Sequence, residues 1–308
     1  SSNPAAGVEG APPENGIMGP VAADKAHPPG APPKVELLSE GSEPRVALAP
    51  KLAAGAEQKV TLSVQRSQMP LSIDLAIAFK VDKAKDDKKK KPDAAKGEAA
   101  PEGPAGALAV VGKIEGASVT AQVEVPEDLT KAVTALKGSQ IRFLMTPDGA
   151  ATHFTRELSK GADRVLDAEL ETIIEAFSTI LAPMPQKPVG VGAYWMVTDR
   201  GRSLGAEMVR YRVFRVLSAG AEGAKLAVEL RQYSTAPSLN VPDQQGGQMA
   251  LQLDKFDSQG KGEVNWAGGF LPSASDMQSQ VQALAIPPGQ PNRRAQIQAG
   301  ARLKMKSN

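Results

Sequence analysis

Apolar and polar positions alternate with period two over most of this chain, and in one place the period lengthens to that of a helix. Residues 71–81, LSIDLAIAFKV, are the clearest case. Leu71, Ile73, Leu75, Ile77, Phe79 and Val81 fall on one side, and Ser72, Asp74, Ala76, Ala78 and Lys80 on the other. That pattern predicts a strand with one buried and one wet face. The same alternation predicts strands at EQKVTLSVQRS, ALAVVGKIEG, ASVTAQVEV and QIRFLMT. It returns in GAYWMVTD, AEMVRYRVFRVLS, AKLAVELRQYS, QMALQLDKFDS, KGEVNWAGG and DMQSQVQALAI. The last strand, RRAQIQAGARLKMKS, sets Ala295, Ile297, Ala299, Ala301, Leu303 and Met305 against Arg, Gln and Lys.

The helical exception is 163–181. Leu166, Leu170, Ile173, Ile174, Phe177, Ile180 and Leu181 form the stripe of an amphipathic helix, with Asp163 as N-cap and Pro183 beyond its end. A shorter helix is predicted in PEDLTKAVTALKG, opened by Pro126 and closed by Gly138. An internal echo links LAAGAEQKVTLSVQRS (52–67) with LSAGAEGAKLAVELRQYS (217–234), each with an Ala-Gly-Ala-Glu turn before an alternating strand.

Two segments carry no period. Residues 1–43 are rich in Pro, Ala and Gly and are expected to be a disordered, extended leash ahead of one domain over 44–308. Residues 82–106 read as a mobile, charged loop with seven lysines between Lys83 and Lys96.

Composition then narrows the classes. Charged residues at 23% and apolar residues at 41% are those of a globular protein. Aromatics at 4% leave the core to Val, Leu, Ile, Ala and Met. A net charge of +2 gives no global nucleic-acid footprint, and the lack of cysteine excludes disulfides, thiolate chemistry and cysteine zinc sites. The chain opens on Ser rather than Met, as expected of a processed product or a trimmed chain.

Many antiparallel strands with one strong helix predict an α+β fold, a large curved sheet packed on the helix. About 19 residues at 1.5 Å rise give a rod of roughly 28 Å for that sheet to wrap. Thin side chains on a curved sheet leave room for a hydrophobic ligand. The concave face would be lined by Leu75, Ile77, Phe79, Ile173, Phe177 and Trp195.

The order of tail, antiparallel strands, helix, APMPQKPVGVGAYWMV and further strands resembles bacterial envelope lipoproteins with the half-barrel of LolA- and LppX-type lipoprotein carriers. In PVGVGAYW (188–195) the glycines would return the chain to the sheet and Trp195 would cap the interior. The Ser-Ser-Asn start with its Pro/Ala/Gly leash is similar to a mature lipoprotein, in which a lipidated cysteine would precede Ser1. The resemblance implies a lipid anchor and a location at the periplasmic side of the outer membrane. It also implies binding of a lipid or acyl chain in the bowl.

Candidate chemistry is sparse. His27 lies in the leash and His153 in GAATHFTREL, neither with a recognisable nucleophile and acid. Glu127 and Asp128 suit the first turn of a helix, where negative charge favours the dipole. GVGAYW follows a helix and precedes a strand, the reverse of a phosphate loop. Lys88, Lys89, Lys90 and Lys91 could contact an anionic surface such as phospholipid headgroups, although interspersed Asp favours a merely solvated loop. The expectation is a non-enzymatic envelope protein without cofactor or metal that carries a hydrophobic ligand. The alternative is a structural or adaptor subunit of an envelope complex, with a fully packed core and a protein partner. Open apolar volume inside the sheet would favour the first, a filled interior the second.

Overall fold

The computed structural model describes residues 13–67, 71–82, 104–163, 165–242 and 248–308. In chain order these form α1 (Pro20–Ala26), β1 (Lys34–Ser39), β2 (Glu57–Arg66), β3 (Leu71–Val81), β4 (Leu108–Ala121), α2 (Glu127–Thr134), β5 (Gln140–Met145) and β6 (Ala151–Glu157). They continue with α3 (Val165–Ile180), β7 (Tyr194–Ser203), β8 (Ala206–Gly220), β9 (Gly223–Ser234), β10 (Ser238–Pro242), β11 (Gln248–Trp266), β12 (Ala274–Ile286) and β13 (Ala295–Ser307). The mainly antiparallel sheet with few helices is the expected class.

All these strands join one 13-stranded sheet, in the order β1-β7-β8-β9-β11-β12-β13-β2-β3-β4-β5-β6, with β10 also paired to β11. The chain thus leaves the sheet at β6, crosses by α3, and re-enters at β7 near the opposite edge. The sheet is open, and β1 and β6 are its edges. β2 and β3 pair in simple register, Leu62 with Leu75 and Val60 with Ile77, so their apolar faces coincide as predicted.

Two predicted strand pairs are single long strands. ALAVVGKIEG and ASVTAQVEV are both β4, with a register shift where Ile77 faces Ile114 and Ala76 faces Gly116. QMALQLDKFDS and KGEVNWAGG both belong to β11, whose pairing with β12 continues in register through Gln259 and Gly260 between them. In β4 a bulge lets the strand bend without ending, and in both strands the polar and glycine residues at the break resemble a turn in the sequence. The echo at 52–67 and 217–234 covers unlike structures: the second is the β8–β9 hairpin, the first a turn before β2.

The leash expected over residues 1–43 is corrected for 13–43; residues 1–12 lie outside the described residues. β1 pairs with β7, Lys34 to Thr198 through Leu37 to Trp195. Ala23 of α1 is fully buried in a cluster with Met196, Val209, Tyr211 and Tyr233. Arg200 fixes the segment further, donating to the His27 carbonyl at 2.7 Å and to Asp24 at 2.7 Å. Few apolar residues suffice here because the sheet supplies the other side of the contact. The same docking explains why β8 is buried on both faces over 208–212.

The core sits between the sheet and α3. All seven apolar positions of the α3 stripe are buried and share one cluster with Leu62, Leu75, Ile77, Phe79 and Leu303. The PVGVGAYW turn works at close quarters. A Cβ on Gly190 would stand 1.6 Å from the Ser42 carbonyl oxygen. Val189 pairs with Val46, and Trp195 donates its indole N–H to the Pro183 carbonyl at 2.9 Å.

Candidate functional site

The structure brings all six predicted lining residues together. Leu75, Ile77, Phe79, Ile173, Phe177 and Trp195 are each at most 2% exposed. Phe79 stacks on Phe177 with ring centroids 5.5 Å apart, and Phe143 meets both edge-on at 6.0 and 6.1 Å. Trp195 stacks on Phe214 at 5.7 Å. Stacked and edge-on rings fill space that a ligand would otherwise occupy. None of the six lines the clefts described below. Lys88, Lys89, Lys90 and Lys91 lie outside the described residues.

Charge enters the interior at the C-terminal end of α3. Asp199 on β7 and Arg210 and Arg212 on β8 are all at most 4% exposed. Asp199 accepts from Arg210 at 2.8 and 2.7 Å and from Arg212 at 2.8 Å. Arg212 also donates to the carbonyls of Ser178, Thr179 and Leu181 at 3.0, 3.2 and 2.6 Å. Those carbonyls would otherwise lack partners at a buried helix end, where a cation also suits the dipole. Burial alone would raise the Asp199 carboxyl, but the two guanidiniums outweigh it and hold its pKa below the usual carboxylate value. Burial pushes the Arg212 guanidinium down to about 10 against the pull of Asp199.

Open volume lies along the polar side of α3. A cleft of about 420 Å³ runs between α3, β6, β7 and residues 30–33, with His153, Arg156, Glu171, Glu175 and Arg202 on its walls. A second, of about 270 Å³, lies between α3 and the inner side of β12 and β13, with Thr172, Ala176, Ser279, Ala299 and Gly300. A third, of about 560 Å³, flanks β1, Asp148 and residues 184–187.

An ion-pair ladder spans the first cleft. From β6, Arg156 makes a two-pronged contact with Asp167 at 2.7 Å and reaches Glu171 at 3.1 Å. Glu171 in turn meets Arg202 of β7 at 3.1 Å. At the far side of α3, Arg66 of β2 pairs with Glu169 at 2.8 Å. Hydrogen bonding to Asp167 raises the Arg156 pKa, and the same bond lowers that of Asp167.

Glu175 stands out from this ladder. Its Oε1 atom is sealed from solvent without a hydrogen-bond partner. Burial, reinforced by Glu171, pushes its pKa up to about 7 against Arg202, the Gly205 backbone and Arg156. An acid titrating near neutrality is a proton donor or acceptor in chemical terms.

His153 shares that cleft. It and Phe154 together oppose Phe143 in a β6 bulge, and His153 has a left-handed φ of 56°. Its Nδ1 lies 2.9 Å from the Thr152 hydroxyl. Bulges commonly re-aim a side chain near a site.

Sequence reasoning missed this polar layer. The Asp199/Arg210/Arg212 cluster had one signal, charged residues within strongly apolar strands. The Glu175 environment had none, because it depends on what β6 and the β7–β8 turn bring against α3. Among the described residues no group of three or more His, Cys, Asp or Glu could hold a metal, and no helix is long and apolar enough to cross a membrane. No protein-family model matches the chain, and no curated protein matches it significantly.

Proposed function

We propose that this protein is a non-enzymatic structural or adaptor subunit of the bacterial cell envelope. In this reading the sheet is a half-barrel curved around α3, so that β6 and β7, far apart in strand order, both reach the helix at one cleft while β12 and β13 lie on its other side. The observation that carries it is the filled interior. The six side chains that would line a lipid-binding bowl are buried in one packed cluster, and the open volume lies beside α3, lined by none of them. A partner would be met by exposed loops and the β1 and β6 edges. The envelope location, and a lipid anchor ahead of Ser1, rest on the composition of the N-terminal segment and on the resemblance to carrier lipoproteins.

A second reading, the hydrophobic carrier, has one observation in its favour. α3 is tied to the sheet through rim ion pairs, Arg66–Glu169 and Arg202–Glu171, while its apolar face covers the concave side. Displacing the helix would exchange Phe177 and Ile173 for an acyl chain. Native mass spectrometry of protein purified gently from its membrane fraction, followed by organic extraction, separates the two. The adaptor reading expects no mass beyond the polypeptide and its covalent anchor, and nothing released by extraction. A stoichiometric adduct released as lipid would overturn it in favour of the carrier.

A further inference from the structure

The two clefts beside α3 share two wall residues, Glu175 and Arg202. The partition between them is therefore the middle of the helix and the tip of the β7–β8 hairpin. That tip is a two-residue turn closed by the Ser203–Ala206 pair. Leu204 and Gly205 both have positive φ, 52° and 73°. A bulky residue occupies a position that Asn, Asp or Gly ordinarily takes in such a turn. The tip is also tied down by side chains. Arg202 donates to the Gly205 carbonyl at 2.7 Å and pairs with Glu171 at 3.1 Å.

The closed arrangement has one defect, the sealed and unpartnered Glu175 Oε1. A neutral carboxyl tolerates that position, whereas a carboxylate loses hydration at Oε1, and the Gly205 backbone, which favours the charged form, does not offset the burial. We propose that the β7–β8 tip and the facing turn of α3 form a gate between the two clefts, shut while Glu175 is protonated and released when it ionises. Release joins the clefts into one channel beneath α3. The gate stands independently of whether the protein is an adaptor or a carrier.

The neighbouring charges do not supply the missing partner. Glu171, on the same helix, opposes ionisation, while Arg202 of β7, the Gly205 backbone at the tip and Arg156 of β6 favour it without outweighing burial. Both arginines are already engaged, with Glu171 and with Asp167. Arg210 and Arg200, in the same cleft, are held by Asp199 and by Asp24 with Glu207. Arg66, in the other cleft, is held by Glu169, and His153 lies against Thr152. Burial thus dominates, and the carboxyl titrates at about 7 when shut against 4.5 for a free glutamate. That difference shifts the closed-to-open ratio on the order of a hundredfold once both forms are ionised.

Hydrogen exchange of the full chain, read by mass spectrometry at pH 5.5 and 8.5 and corrected for intrinsic rates, tests the gate. The expected result is at least a tenfold loss of protection at pH 8.5 in peptides covering α3 and the β7–β8 tip. Those covering β2–β4 keep theirs, and circular dichroism stays unchanged. Glu175→Gln, isosteric and never charged, should hold the gate shut at both pH values. Equal protection at both pH values in the natural chain would overturn the proposal. So would an undiminished pH response in Glu175→Gln, or a loss spread evenly over the whole sheet.

Discussion

Arg212→Met tests most directly what holds α3 in place. The substitution keeps the length and apolar stem of the side chain and removes the guanidinium. Opposing effects set its magnitude. Burial pushes the Arg212 pKa down to about 10 even against the pull of Asp199, so net of that pair the charged form is disfavoured by ~3 kcal/mol relative to water. Against this stand three contacts to helix-end carbonyls. Hydrogen bonds to charged groups contribute about 1.5–3 kcal/mol each, and the carbonyls left behind are sealed from water. The hydrogen-bond losses exceed the desolvation relief. Breaking one partner out of a buried ion cluster ordinarily costs about 3–5 kcal/mol, and that is the expected loss. Urea unfolding followed by circular dichroism and tryptophan fluorescence measures it. Arg212→Lys should recover only part, because an ammonium cannot span the carbonyls and the carboxylate together. A loss under about 1 kcal/mol for Arg212→Met would refute the reasoning, since desolvation would then cancel the cap.

Other outcomes follow from the same structure. Phe177→Ala removes a fully buried ring stacked on Phe79 and should cost about 3–5 kcal/mol in the same unfolding assay. The raised pKa of Glu175 gives stability that is full below about 4.5 and lost as pH rises through about 7. Glu175→Gln should therefore flatten the alkaline limb of the stability profile, whereas the acid limb, set by the depressed pKa of Asp199, should remain. Gly190→Ala drives a methyl group into the Ser42 carbonyl, so thermal melting should report a clear destabilisation of the β1–β7 edge. Ala23→Asp buries a carboxylate among Met196, Val209, Tyr211 and Tyr233, and limited proteolysis should then cut within residues 13–33 while the rest of the sheet resists.

The six predicted lining residues show where sequence is sufficient and where it stops. Their placement on one apolar face follows from period two in 71–81 and the helical period in 163–181, and the structure keeps both. Whether they enclose space or fill it depends on three-dimensional approach. Phe79, Phe143 and Phe177 come from β3, β5 and α3, separated by many residues, and only their meeting closes the volume.

The N-terminal segment makes the opposite point. Residues 13–43 contain too little apolar surface to organise themselves, and by composition they read as a leash. β7 offers them an open edge and β8 an apolar outer face, so docking gives the segment the structure its own sequence does not encode.

Local periodicity, by itself, determined most of the strands from β2 onward, α2 and α3, the buried faces of β2, β3 and α3, and the antiparallel α+β class, because side-chain direction repeats with backbone geometry; α1, β1, β6 and β10 carry too little period of their own. Strand order, the joining of β4 across its bulge and of β11 through Gln259 and Gly260, and the inward turn of Asp199, Arg210 and Arg212 were decided by tertiary structure. Those features answer to partners distant in the chain. Two arginines face inward because a buried helix end needs donors and Asp199 needs counter-charges, and neither demand is visible within a strand's own alternation.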